Sequence, residues 1–175
     1  MSRLNIDAAR LTASLEALGR IGAYDDDVTG LVGVRRVAFT KEDGEGRRHV
    51  VNEFKAAGLE VTVDRIGNVY GRRTGRDDGA KPVMAGSHID SVATAGRFDG
   101  CLGVLGALEV VKTLNAAKVT TRRPLIVAFF SEEEGSRFGT DMLGSAVAVG
   151  RLPLERAYGL TDRDGKTARA ELEAI

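Results

Sequence analysis

The sequence is poor in the residues that mark several specialised classes of protein. Its 175 residues include one cysteine, Cys101, no tryptophan and two histidines. A single cysteine excludes an internal disulfide framework and is typical of a reducing compartment. The formal net charge is zero, so the composition gives no reason to expect nucleic acid or an anionic membrane as a partner.

Long apolar runs are also missing. No stretch approaches the roughly 18 apolar residues of a membrane-spanning helix, and the first residues lack the apolar core of a signal peptide. The length is sufficient for one domain with a real core. We therefore expect a cytoplasmic globular protein, with no nucleic-acid partner and no membrane partner.

The spacing of apolar residues predicts alternating helices and strands. A capping box formed by Thr40 and Asp43 opens one helix, which we expect to stop at Gly58. The acidic run at 25–27 predicts a polar loop. The other predicted helices cover 4–21, 100–114, 140–149 and the end of the chain, and the predicted strands cover 59–64, 69–73, 82–85 and 125–130, the last two as buried strands.

Three polar motifs follow the two apolar strand runs. They are GSHIDS at 86–91, GRFDG at 96–100 and SEEEGSRF at 131–138. Loops at the carboxyl ends of strands in an open α/β sheet converge on one crevice, where ligands bind. Carboxylates crowded in a cleft repel one another unless one is protonated or a cation neutralises them. The motifs therefore predict a cation held by an imidazole and several carboxylates.

Each side chain in these motifs also has an ordinary structural interpretation. His88 and Asp90 fit a metal ligand with the carboxylate that orients it, or equally a structural histidine. Asp99 precedes a predicted helix, where a carboxylate caps the helix or binds a cation, and capping is favoured if the residue is taken alone. Three consecutive glutamates at the end of a buried strand are unfavourable unless they are solvated or paired. The other histidine, His49, is interpreted as a surface residue.

Taken together, the motifs resemble half of a two-metal hydrolytic site. In such sites one carboxylate spans two cations about 3.5–4 Å apart, and a bridging water is activated as the nucleophile. Zinc suits mixed nitrogen and oxygen ligands, and manganese or cobalt remain alternatives.

The order of these motifs, followed by MLGS at 142–145, resembles the superfamily of M20-type metallopeptidases and amidohydrolases. It is most similar to the hydantoinase/carbamoylase branch, which contains N-carbamoyl-L-amino acid hydrolases, β-ureidopropionases and allantoate amidohydrolases. Residues 33–40 and 64–72 also resemble segments of that branch. The resemblance implies a zinc-peptidase-like α/β catalytic domain with an open mixed sheet flanked by helices.

The resemblance also implies a role for each matching residue. His88 corresponds to a ligand of one metal, Asp99 to the carboxylate that bridges both metals, and Glu134 to a ligand of the other. Glu133 corresponds to the general base that moves a proton from the bridging water to the leaving nitrogen. Asp90 corresponds to the carboxylate partner of His88.

Two further expectations concern the neighbours of these residues. The resemblance implies a cis peptide bond after Asp99. Glu132 has no counterpart role, so we expect it to be a solvated surface acid.

Members of the family are far longer than this chain. They take further histidine ligands from beyond the region that matches residues 1–175, and they carry an inserted lid domain that binds the substrate carboxylate and mediates homodimerisation. We therefore interpret residues 1–175 as the N-terminal part of one metallohydrolase catalytic domain, without the lid.

The function implied for the complete protein is metal-dependent hydrolysis of a linear amide C–N bond in a small N-carbamoyl or ureido acid, with two divalent metal ions as cofactors. This chain alone is expected to have little activity, because ligands and the orienting lid are missing. Two alternatives stay open: an aminopeptidase or dipeptidase of the same superfamily, and a non-catalytic fragment that binds a partner.

Overall fold

The structure is a computed structural model that describes residues 4–175 as a four-stranded sheet with helices packed on it, plus a short separate hairpin. The elements in chain order are α1 Ala8–Gly19, β1 Ala23–Asp26, β2 Leu31–Val34, α2 Lys41–Ala56, β3 Glu60–Val63, β4 Val69–Arg73, β5 Val83–His88, α3 Cys101–Ala116, β6 Leu125–Phe130, α4 Leu143–Ala148, α5 Leu154–Tyr158 and α6 Ala168–Glu173.

The main sheet has the strand order β3-β4-β6-β5. Strands β5 and β6 run parallel, with Val83 opposite Leu125 and His88 opposite Phe130, whereas β4 is antiparallel to both β3 and β6. The predicted α/β class with an open mixed sheet flanked by helices is therefore confirmed. The parallel pair matters most for function, because it brings the carboxyl ends of β5 and β6 side by side.

Helices α1, α2 and α3 share one hydrophobic core with the sheet. Leu18, Phe54, Val104 and Phe129 are each fully buried in this core. Helix α2 begins as predicted, since the Thr40 hydroxyl accepts a hydrogen bond from the main-chain N–H of Asp43. Gly58, at φ +78°, follows its last turn. The core thus fixes α3, whose first turn carries one of the polar motifs.

Three local features differ from the predictions. Asp25 and Asp26 of the acidic run predicted as a loop lie in β1, which pairs with β2 in an antiparallel hairpin, and only Asp27 lies in the turn. The five-residue helix α5 was missed because one turn and a half is too short to show helical periodicity. The helix predicted over 140–149 begins only at Leu143, after Met142 at φ +54°.

Strand β5 was predicted to be buried but is largely exposed. Val83 and Met84 are 45% and 48% exposed. The reason is its place in the sheet: within residues 4–175, β5 is hydrogen-bonded to β6 on one side and to no strand on the other.

Among the helices of residues 4–175, none has the length and apolarity needed to cross a membrane.

Candidate metal site

The sequence-predicted site residues come from three loops at one end of the parallel strand pair. His88 is the last residue of β5, and Glu133 and Glu134 follow β6. Asp99 lies just before α3. The β5–β6 register places His88 opposite Phe130, which explains why residues distant in sequence meet here.

The structure brings His88, Asp99 and Glu134 into one group. One nitrogen or carboxylate oxygen from each side chain lies within 4.8 Å of the other two. The Nε2 atom of His88 is 4.0 Å from Oδ1 of Asp99 and 3.3 Å from Oε2 of Glu133. Three of the four predicted carboxylates, those of Asp99, Glu133 and Glu134, therefore lie close to the imidazole of His88.

The ring of His88 is held in one orientation. Its Nδ1 atom lies 2.9 Å from the main-chain carbonyl oxygen of Asp90. Since a carbonyl only accepts, Nδ1 donates this hydrogen bond, and Nε2 is the ring nitrogen that faces the carboxylates. The imidazole is 6% exposed, so burial also limits its movement.

Gly100 allows the close approach of α3 to this ring. A Cβ atom at position 100 would lie 2.6 Å from ring atoms of His88, and the residue has φ +63°. A side chain here would collide with the imidazole and strain the backbone. The glycine that ends the GRFDG motif is therefore required by the geometry of the site.

Asp99 does not cap α3. Gly100 is the N-cap residue, and no side chain makes a capping hydrogen bond at this helix. The carboxylate of Asp99 is 78% exposed and faces the histidine. The expected cis peptide after Asp99 was wrong, because no peptide bond in residues 4–175 is cis.

Asp90 contacts the site differently from the expected carboxylate–histidine pair. Its main-chain carbonyl binds the imidazole, while its carboxylate oxygen Oδ1 stays 3.8 Å from Nδ1 of His88. The other oxygen, Oδ2, accepts hydrogen bonds from the main-chain N–H groups of Glu133 (3.0 Å) and Glu134 (3.4 Å). The Asp90 carboxylate thus anchors the backbone of the two glutamates.

Burial sets the charge state of Asp90. Desolvation, helped by the nearby charge of Asp43, raises the pKa of Asp90 to about 7, although His88 acts in the opposite direction. Oδ1 of Asp90 is buried and has no hydrogen-bond partner among the described residues. A cation that binds near this buried carboxyl group would lower its pKa.

Glu132 is not the solvated surface acid that we expected. It is fully buried, at φ +50°, and its Oε1 accepts hydrogen bonds from the main-chain N–H groups of Arg137 and Phe138. Burial raises the pKa of this carboxyl. The left-handed backbone at Glu132 turns its side chain away from solvent, and the sequence carries no signal that separates it from Glu133.

The group has the properties of a site for a divalent cation. In residues 4–175, no Lys or Arg forms an ion pair with Asp90, Asp99, Glu133 or Glu134, so the described chain offers them no positive charge except the histidine. Burial raises the pKa of Glu134, and the neighbouring acids add to that effect. One imidazole nitrogen and several carboxylate oxygens form the donor set that zinc and manganese accept. The residues therefore fit a divalent metal.

His49 does not belong to this group. It is half-buried rather than on the open surface, and it lines a shallow cavity together with Arg10, Glu53 and Lys112.

Sequence reasoning missed the residues that hold the loop after β6. Asn68 falls between the predicted strands 59–64 and 69–73 and received no role. It is fully buried, and its side-chain oxygen accepts a hydrogen bond from the N–H of Ser131 while its amide donates to the carbonyl of Gly144. Arg47 donates to the Ser131 hydroxyl and to the carbonyl of Gly67. No local pattern marks such long-range polar contacts.

Comparison with known proteins gives the family. The model of the family described as Peptidase family M28 matches residues 68–158, just over half of the chain. The N-carbamoyl-L-amino-acid amidohydrolase of Rhizobium meliloti is 42% identical over 97% of this chain and 40% of its own length. The ureidoglycolate hydrolase of Arabidopsis thaliana is 35% identical over 94% of this chain and 34% of its own length.

A solved structure shows the same arrangement of elements. The hydantoinase/carbamoylase family amidase from Burkholderia ambifaria superimposes with a TM-score of 0.92 at 47% identity, over 98% of this chain and 41% of that one. The chain thus spans about 40% of the length of such relatives. It belongs to the hydantoinase/carbamoylase family of amidases, whose catalytic domain is of the M28/M20 peptidase type.

Proposed function

We propose that this chain supplies half of a two-metal site that hydrolyses an amide C–N bond in a small N-carbamoyl or ureido acid. The observation that carries the proposal is the group of His88, Asp99 and Glu134, with Glu133 beside it and no Lys or Arg paired to these acids in the described residues. The names of the two relatives also support it, since N-carbamoyl amino acids and ureidoglycolate share a ureido group and a carboxylate.

His88, Asp99 and Glu134 would hold the metal, with Asp99 as the carboxylate shared by two divalent ions, Zn²⁺ or alternatively Mn²⁺ or Co²⁺. When bound, such ions lower the pKa of a water molecule and polarise the substrate carbonyl. The remaining ligands would come from a part of the full-length protein outside residues 1–175. This chain is then the N-terminal part of one catalytic domain, and we propose a cytoplasmic location for it.

Glu133 is the proposed general base. Its carboxylate is about one-third exposed, so it is open to substrate and water. It would accept a proton from the attacking water and pass it to the nitrogen as one C–N bond of the ureido group breaks. Asp90 would hold the backbone of Glu133 and Glu134 in place by accepting a hydrogen bond from the N–H group of each. Cleavage of the first C–N bond releases ammonia and leaves a carbamate, whose second C–N bond breaks as carbon dioxide is lost. The products are then ammonia, carbon dioxide and an amino acid, or the corresponding ureido product.

A second candidate function is an aminopeptidase or dipeptidase. The match to the model of Peptidase family M28 favours it, because that match covers the loops of the candidate site. The two functions share the metal and the base, and they differ in the substrate group that is cleaved. A third possibility, a non-catalytic fragment that binds a partner, follows from the partial length.

A chimera tests these candidates. Residues 4–175 would replace the corresponding 41% of the Burkholderia ambifaria amidase. We expect metal-dependent release of ammonia from an N-carbamoyl-L-amino acid, and its loss in Glu133→Gln and Asp99→Ala. Hydrolysis of dipeptides without ammonia release would favour the peptidase. A folded, metal-loaded chimera without either activity, beside an active parent enzyme, would contradict both enzymatic proposals.

A further inference from the structure

The loop between β6 and α4 closes on itself directly beside the candidate site. Backbone hydrogen bonds join Gly144 N to the carbonyl of Ser131 (2.8 Å), Leu143 N to that of Glu132 (3.1 Å) and Met142 N to that of Glu133 (2.8 Å). These three hydrogen bonds join the two ends of the loop. The side chain of Glu132 turns inward from this junction.

The side chain of Glu132 lies inside the closed loop and accepts hydrogen bonds from the backbone of the loop. Its Oε1 accepts from Arg137 N at 2.9 Å and from Phe138 N at 2.8 Å. The residue has φ +50°, a strained conformation outside glycine that persists only where surrounding contacts impose it. The loop therefore depends on this carboxylate for its path.

A second carboxylate holds the same segment from outside. Asp90 accepts hydrogen bonds from the backbones of Glu133 and Glu134, which immediately follow Glu132. The segment from Glu133 to Phe138 is thus fixed at one end by Asp90 and at the other by Glu132. If either anchor is lost, the backbone that carries Glu133 and Glu134 loses part of its restraint, although the hydrogen bond from Met142 N to the carbonyl of Glu133 is kept.

We propose that Glu132 is a positioning residue that sets the direction in which Glu133 and Glu134 face His88. It would act through the backbone, without contacting the metal or the substrate. The part of the inference that concerns metal affinity rests on the proposed function. The part that concerns the restraint of the loop backbone by Glu132 does not, because that restraint needs no metal.

Native-state amide hydrogen exchange of the whole chain, followed by NMR without metal, tests the inference. In the wild-type protein we expect the amides of Glu133, Glu134, Arg137 and Phe138 to open as one unit, with protection factors that agree within about threefold. Protection that differs between the two pairs by more than about tenfold would overturn the inference. This arm needs no substitution.

Two variants of Glu132 extend the test. Glu132→Met fills a similar volume without an acceptor, and we expect it to reduce protection at all four amides by at least about tenfold. Glu132→Gln keeps one oxygen and should restore protection. Loss confined to Arg137 and Phe138 in the Met variant would show a purely local role and overturn the inference.

Glu109→Gln is the matched control, because Glu109 is a buried glutamate that accepts hydrogen bonds from Asp7 N and Arg10, away from the loop. It should leave protection of the loop unchanged. An equal loss in the control would attribute the effect to general destabilisation and overturn the inference.

Cobalt(II) titration, read from its visible absorption, separates this inference from the proposed function. We expect Glu132→Met to weaken Co²⁺ binding by about tenfold or more, as is usual when a residue that orients ligands is removed. Unchanged binding with intact protection at Glu133 and Glu134 would overturn the inference alone. No Co²⁺ binding by the wild-type chain, with coupled amides, would count against the proposed half-site and leave the positioning role supported.

Discussion

Two groups of buried carboxylates in this protein differ in whether an arginine forms an ion pair with them. Asp43 is paired with Arg47 at 2.7 Å, and Glu109 with Arg10 at 2.7 Å. Asp90 and Glu132, in contrast, receive only backbone N–H groups. The pair of Asp43 and Arg47 lies within α2, and the pair of Glu109 and Arg10 joins α3 to α1. The second group lies beside the candidate metal site.

The difference appears in the titration of the two groups. The hydrogen bond from Arg10 lowers the pKa of Glu109. Burial raises the pKa of Asp90 to about 7, and it also raises the pKa values of Glu132 and Glu134. A metal-binding region keeps its negative charge uncompensated so that an external cation can neutralise it. The structural ion pairs need no such partner.

The largest expected effect comes from breaking a structural pair. Arg47→Ala leaves Asp43 fully buried without its cation and also removes the contact with Ser131. We expect a loss of about 3–5 kcal/mol in the free energy of unfolding, the usual cost of stranding one buried charge. Urea denaturation followed by circular dichroism measures it, and a loss below about 1 kcal/mol would mean that this pair is not structural in the sense argued above.

A change at Gly100 should act on the metal site. Gly100→Ala puts a Cβ atom into the ring of His88 at a position with φ +63°, so we expect Co²⁺ affinity to fall by at least about tenfold, or 1.4 kcal/mol. Gly96→Ala is the control, since a Cβ atom at position 96 has open space around it. Equal affinities for the two variants would show that the packing against His88 does not set the site.

The pH dependence of stability should have opposite signs in the two groups. Because the pKa of Asp90 rises on folding, the folded state binds more protons, and its contribution is full below pH 3.8 and decreases up to about pH 7. In chelator, wild-type stability relative to Asp90→Asn should therefore fall over that window, by at most about 1.4 kcal/mol per pH unit.

Glu109 provides the opposite case. Its pKa is lowered on folding, so its contribution is present above pH 4.5 and is lost as the pH falls below that value. Wild-type stability relative to Glu109→Gln should rise with pH in the acidic range. Thermal unfolding in the presence of a chelator at a series of pH values gives both comparisons. If the stability differences for Asp90 and Glu109 changed with pH in the same direction, the proposed difference between the two groups of carboxylates would be wrong.

The smallest effect belongs to a solvent-exposed pair. Lys41 is 82% exposed and lies 3.8 Å from Glu45 one helical turn away. Lys41→Ala should change the free energy of unfolding by about 0.5 kcal/mol or less, because exposed pairs are screened by water and salt. It is measured beside Arg47→Ala, and a loss comparable to that of the buried pair would contradict the role assigned to burial.

The sequence was sufficient to predict the sheet class and the meeting of His88, Asp99 and Glu134. Local rules predicted that the polar motifs after the apolar strands meet at one sheet edge, whereas the open mixed sheet and the choice of these three residues came from the family resemblance. The specific roles of these residues came from the family resemblance. The motifs in the sequence were therefore enough to predict where in the fold the site lies.

Other features depended on contacts that no local pattern reveals. The carboxylate of Asp90 binds the backbone 43 residues later in the chain instead of the neighbouring imidazole. Glu132 looks the same as Glu133 in sequence, but the left-handed backbone at Glu132 turns its side chain inward. The exposure of β5 follows from the absence of a second neighbouring strand in residues 4–175, which its apolar composition does not indicate.

Metal content tests the central claim most directly. The purified chain would be loaded with zinc or manganese, dialysed and analysed by mass spectrometry, beside an Asp99→Ala variant treated in the same way. Our account predicts stoichiometric metal in the wild-type chain and its loss in the variant. Metal-free protein in both cases, or equal metal in both, would contradict the claim that the uncompensated carboxylates around His88 form a metal site.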